Sequence, residues 1–182
     1  MVEVHGYVSG IRPRSAGTAL VTLLSISTLS GEGYVAVLPD PPEWLDIGSK
    51  VTCNIEQIPG REKTLSVVAG LKPSTTLPDI VHVELVVESV RETPSGHILL
   101  EGKREDGGFF SYLLTPENVN IDAASLPCRA VALKATQRGV ERVIAVLPVK
   151  NFQIMKRAKE LMLRLRELEE QRPEQEFLKG PP

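Results

Sequence analysis

The sequence predicts an all-β chain with a C-terminal helix, arranged as two tandem small five-stranded barrels. Three observations carry this. First, the chain repeats itself. At an offset of 79 positions Val2-Glu3-Val4 falls on Val81-His82-Val83, Val8 on Val87, Ile11-Arg12 on Val90-Arg91, Gly17 on Gly96, Leu20 on Leu99, and Gly60 and Glu62 on Gly139 and Glu141. At an offset of 75, Gly33-Tyr34-Val35 falls on Gly108-Phe109-Phe110 and Pro41 on Pro116. Second, apolar and polar residues alternate at period two within each copy, as half-buried strands do. Third, the period lengthens to that of a helix beyond residue 150. A repeat this long exceeds a solenoid unit and suits a small domain.

In the first copy Val2, Val4 and Val8 alternate with Glu3, His5 and Tyr7, which gives a strand over 2–8. The stretch 10–17, with Pro13 and two glycines, reads as a loop. Strands follow at 19–27 and 33–38. The proline-rich run 39–48 interrupts the sheet, because proline supplies no N–H to a ladder. Pro42 to Leu45 suits one helical turn, with Trp44 as a plug for the barrel end. Segments 50–58 and 64–71 complete five strands around the tight turn Pro59-Gly60-Arg61-Glu62. The order recurs after the linker 73–80: strands at 81–90, 97–103 and 109–114, a longer connection at 115–127, then strands at 129–135 and 140–147.

The predicted organisation is therefore a first barrel over 1–72, a linker over 73–80, a second barrel over 81–148, a helix over 149–172 ended by Pro173, and a disordered tail over 173–182. Five strands whose longest connection separates the third from the fourth match the OB fold. Other five- or six-stranded barrels and a small sandwich are the competing architectures. Modules of about 75 residues lie near the lower limit for an independent core, so mutual packing or oligomerisation would help each of them.

In the helix, Ile154, Ala158, Leu161, Leu165 and Leu168 recur at spacings of four and three and draw one apolar seam. The plain reading lays this seam on the chain's own barrel. The sharper one has it meet another copy or a partner in a bundle supported by the barrel, since two heptads are too few for an isolated coiled coil.

OB barrels that bind single strands use aromatic side chains to stack bases and cations to meet phosphates. The candidates here are His5, Tyr7 and Tyr34 on the wall of the first barrel, Arg12 and Arg14 on its first loop, and Phe109, Lys103 and Arg104 in the second. Phe110 and Tyr112, matched to Val35 and Val37, are expected in the core. An ordinary barrel exterior accounts for the same residues without any ligand. Glu84, Glu88 and Glu101 give the second module an acidic wall that repels phosphate, and make it a spacer or interaction domain.

Other chemistry finds little purchase. The net charge of −2 gives no global attraction to nucleic acid, although a local groove can still be basic. Cys53 and Cys128 stand alone, without CxxC spacing, and read as small hydrophobes. His5, His82 and His97 match no HExxH, and there is neither a phosphate loop nor a GxSxG, so no enzyme, cofactor or metal site is expected. No run approaches the ~20 apolar residues of a membrane span, and the N-terminus lacks the basic-then-apolar pattern expected of a signal peptide. A cytoplasmic, nucleoid or nuclear location is expected, and secretion is not.

Two such barrels followed by an oligomerising helix resemble the replication protein A family. The residues carrying the likeness are the strand blocks 2–71 and 81–147 and the seam from Ile154 to Leu168. The chain departs from the family in its few aromatics (4%), the lack of a zinc ribbon and the acidic second module. The resemblance implies a non-enzymatic protein that binds single-stranded nucleic acid, DNA ahead of RNA, and forms a homo- or hetero-oligomer through its helix. The alternative is an assembly or adaptor subunit with no nucleic-acid contact. Recognition of a carbohydrate at a barrel mouth is a distant third.

Overall fold

The computed structural model describes residues 1–16, 19–60 and 63–178, with side chains over 1–15, 21–60 and 63–171. Arg61 and Glu62 of the predicted turn, Gly17 and residues 179–182 lie outside the described residues. The first half comprises β1 (Val2–Ala16), β2 (Ala19–Ser27), β3 (Gly33–Leu38), β4 (Lys50–Ile58) and β5 (Leu65–Pro73). They close into a barrel in the order β1-β2-β3-β5-β4, with β4 returning to pair with β1. The second half comprises β6 (Ile80–Glu92), β7 (Ile98–Arg104), β8 (Phe109–Leu114), β9 (Cys128–Gln137) and β10 (Val140–Pro148). It has the same order, β10-β9-β6-β7-β8, as an open, curled sheet in which β8 and β10 do not pair. Both halves are thus OB-like in topology. Only the first is a closed barrel.

The duplication is visible in the ladders. Ser9 is an extra residue in β1, between the pairs Val8↔Ile26 and Gly10↔Ser25. Glu88 is the extra residue in β6, between Val87↔Gly102 and Ser89↔Glu101. The two bulges stand 79 positions apart. In the neighbouring strands the correspondence shifts: Ile26 pairs with Tyr34 as Gly102 pairs with Phe110, an offset of 76. The expected offset of 75 in the third strand is therefore one residue short, and a slip of one residue exchanges the faces of a strand. Tyr34, Ala36 and Leu38 point inward, while Val35 is exposed. Phe110 is buried as expected, Tyr112 is half-buried against the same core, and Phe109 is exposed.

Two further expectations are corrected here. The stretch 10–17 is not a loop at its start, since β1 continues to Ala16 and pairs with β2 as a ribbon. Pro13 sits in it opposite Thr22. Trp44 does not plug the barrel: it is exposed, and Leu45 and Ile47 fill that place. The turn itself forms, with the Leu45 N–H donating to the Pro42 carbonyl at 3.2 Å.

The two halves do not have separate interiors. One apolar cluster joins Val8, Leu24, Ile26 and Val51 of the barrel to Val131, Leu133, Ala135, Ile144 and Leu147 of the second sheet. A second cluster inside the curled sheet holds Leu85, Val87, Leu100, Phe110, Ala130, Ala132 and Val146. The β9–β10 hairpin is thus buried on both faces, and its sequence is accordingly a near-continuous apolar run. The segment between β5 and β6 is packed rather than free: the Ser74 N–H donates to the Lys50 carbonyl at 2.9 Å.

A single helix, α1 (Val149–Leu178), follows β10 directly. It runs past Pro173, where an end was expected, so the predicted tail is helical as far as Leu178. Proline inside a helix costs one hydrogen bond and a clash with the preceding turn, about 3 kcal/mol. Among the described residues no helix is long and apolar enough to cross a membrane.

Candidate binding surfaces

The outer wall of β1 is where the sequence places most of the nucleic-acid candidates. The bulge at Ser9 resets the alternation, so His5, Tyr7, Arg12 and Arg14 all belong to this wall. Its middle is covered. Tyr7 is fully buried, and its hydroxyl donates to the Pro78 carbonyl at 2.6 Å. Burial, with the Asp79 carboxylate adding to it, pushes the Tyr7 phenol up to about 12. Two residues on, the Ser9 and Ser27 hydroxyls lie 2.8 Å apart, and Ser27 donates to Asn118 Oδ1 at 2.6 Å. Asn118 Nδ2 then donates to the Gly31 carbonyl at 3.0 Å and to Thr115 Oγ1 at 2.9 Å. This buried polar network comes from both halves and has every Asn118 group paired, as a buried amide requires. Docking of the second sheet therefore uses the wall on which a bound strand would have stacked.

The ends of the wall remain exposed but stand apart. His5 lies between Glu3 (2.9 Å) and Thr52 (3.1 Å). Arg12 and Arg14 are seven and nine residues further along, roughly 23 Å or more at strand rise. Both arginines are exposed, and no ion pair among the described residues includes them. Arg12 borders a cleft of about 190 Å³ with Ser9, Gly10, Ser25, Asn118 and Met155. That is smaller than the pockets of about 300–1,000 Å³ that enclose drug-sized ligands. Tyr34, expected on the outer wall, instead faces inward at the barrel mouth, where its hydroxyl donates to Glu32 at 2.6 Å. That hydrogen bond is the main reason its phenol is raised.

In the second sheet Phe109 is 74% exposed, with the Lys103 ammonium 5.9 Å from its ring centroid. Arg104, exposed at the end of β7, pairs with Leu85 and by alternation belongs to the other face of the sheet. The acidic neighbours are close: Glu88 lies 3.9 Å from Lys103, and Glu101 holds Arg91 at 3.3 Å. This patch carries one ring and one cation between carboxylates.

The helix has two faces. One lies on the first barrel, where Met155 and Ala158 are buried. Past Tyr7, β1 has no β4 partner, and the Ile11 N–H is taken by the Met155 sulfur at 3.4 Å. Lys159 reaches Asp46 at 3.9 Å and Arg166 reaches Asp40 at 2.7 Å. Phe152 meets the His82 ring edge-on at 5.4 Å. Burial and the Lys156 charge lower the His82 pKa, against an opposing pull from Asp46. The other face carries the seam: Ile154, Leu161, Leu165 and Leu168 are each about half exposed, and only Ala158 is covered. The helix therefore packs on its own barrel through a face other than the seam.

Both cysteines are free, and burial pushes the Cys53 thiol up to about 11. Among the described residues, no group of three His, Cys, Asp or Glu is placed to hold a metal ion. The sequence reading missed Asn118, Ser27 and Pro78; no local pattern marks residues whose role is to join two halves. No family model matches the chain, and no match to it is found among curated proteins or solved structures.

Proposed function

We propose that this chain is a non-enzymatic assembly protein, an OB-like scaffold that presents α1 to a partner helix. One observation carries this reading. Ile154, Leu161, Leu165 and Leu168 are 55, 51, 48 and 57% exposed on a helix whose adjoining side is already anchored through Met155 and Ala158. Covering four half-exposed side chains of this size is worth roughly 1 kcal/mol each. The barrel holds the helix in place, so association need not bear the cost of nucleating it. The expected result of Leu161→Glu with Leu165→Glu is a chain that keeps its β-sheet circular dichroism and loses its partner in a sedimentation experiment. An unchanged mass would count against the reading.

A second reading, binding of single-stranded nucleic acid, is favoured by Arg12 and Arg14, exposed without carboxylate partners among the described residues, and by the exposed Phe109 beside Lys103. Binding through the arginines would weaken with salt, with each lost phosphate contact lowering the slope by about 0.7. Phe109→Ala would cost about 1–3 kcal/mol of affinity if a base stacks there. Titration of labelled single-stranded DNA and RNA at two salt concentrations tests it; no signal at low salt rejects it.

A further inference from the structure

We infer that the partner of α1 is a second copy of this chain, packed antiparallel across a two-fold axis. The inference rests on the assembly reading above and specifies its occupant. Beside the seam, Arg157, Glu160, Arg164 and Glu167 follow one another at spacings of three, four and three. At 3.6 residues per turn they form one stripe, and the seam lies between it and the side that faces the barrel. All four are exposed. Such alternation is often explained by pairs within the helix, yet no such pair forms. Among the described residues the ion pairs of α1 are those of Lys159 and Arg166 with the barrel.

The order of charges along the stripe is plus, minus, plus, minus, and read from the other end it is the opposite. Two copies laid antiparallel with their seams in contact bring stripe against stripe on the same side. Arg157 then meets Glu167 of the second copy, Glu160 meets Arg164, and the two-fold axis repeats both pairs. The leucines coincide in nearly the same alignment, with Leu161 beside Leu165 of the second copy. A parallel pair instead turns each stripe towards its partner's other flank, where Met155 is buried against the barrel. Isologous pairing of this kind is also the commonest symmetry of soluble oligomers.

The test uses the full chain without nucleic acid. Sedimentation should give twice the 19.9 kDa of one chain. Arg157→Glu with Arg164→Glu makes the stripe all acidic, and Glu160→Arg with Glu167→Arg makes it all basic. Each variant alone should be monomeric, and a one-to-one mixture should recover the dimer. Continued dimerisation of either variant alone, or no recovery on mixing, would overturn the pairing. Orientation is read from cysteines placed in a Cys128→Ser background. Leu161→Cys, near the axis, should cross-link to its copy, whereas Ile154→Cys should not, because its copy lies about 24 Å away along the antiparallel helix. Cross-linking of Ile154→Cys would overturn the antiparallel arrangement while leaving assembly through α1 intact. A wild-type mass of 19.9 kDa would overturn the self-pairing altogether and leave assembly with a different partner helix standing.

Discussion

The two halves share a strand order and a bulge, yet one closes and the other does not. In the first, β3 reaches β5 at Val37↔Val67 and completes the barrel. In the second, the place between β8 and β10 is taken by the connection that follows β8. Val119 bridges Val146 there, and the Asn120 N–H donates to the Val146 carbonyl at 3.4 Å. The corresponding connection of the first half does something else, sending Leu45 and Ile47 into the core. A duplicated strand pattern thus specifies the ladder order without specifying closure. Closure depends on where the longest connection packs. The open sheet has gained a second role: one face of its β9–β10 hairpin lines its own interior and the other covers the barrel.

The comparison can be broken most directly at Leu133, fully buried where the sheet meets the barrel. Leu133→Ala should destabilise the chain by about 2–5 kcal/mol. Denaturant unfolding followed separately by Trp44 fluorescence and by far-ultraviolet circular dichroism should remain one coincident transition. Two separate transitions would mean that the halves fold independently. Asn118→Ala removes the amide that joins both halves, leaving the Gly31 carbonyl with Thr115 Oγ1 alone and the Ser27 hydroxyl with Ser9 alone, for a loss of about 1–3 kcal/mol in the same experiment. Tyr7→Phe deletes only the bond to Pro78 and should cost about 1 kcal/mol. It should leave any oligonucleotide affinity unchanged, whereas a stacking role on an open wall requires Tyr7→Ala to abolish binding without loss of stability. The smallest effect concerns His82. Its folded pKa is lowered from 6.5, so the native state favours neutral imidazole. That contribution is complete above pH 6.5 and is lost as pH falls through the folded value. His82→Gln should flatten this part of the stability profile between pH 7.5 and 5, and a wild-type profile unchanged by the substitution would exclude it.

Much of the fold was legible in local pattern. Alternation located the strands of both copies to within a few residues, except at 10–16, where Pro13 and the glycines suggested a loop and a ribbon was found. The helix and its seam were legible for the same reason, since hydrophobic period is a property of neighbours in sequence. The candidate surface was much less so. Tyr7 was assigned to the correct side of its strand, but the second sheet covers that side. Tyr34 was assigned to the wrong side because Val35 and Val37 read as the core face, whereas Ala36 and Leu38 are the buried pair, and a shift of one residue exchanges the faces of a strand. The apolar continuity of Ala130 to Leu133 and Val143 to Leu147 was a usable sign of burial on both faces, and therefore of docked halves.

Local sequence by itself determined which segments extend, which coil, and that the same sheet was to be built twice. It also determined that one edge of the helix would be apolar. Only tertiary structure decided which outer faces stayed outside. Solvation of a side chain depends on whatever packs over it, here residues far along the chain, such as Asn118 meeting Ser27 across 91 positions. No period in the sequence encodes that distance.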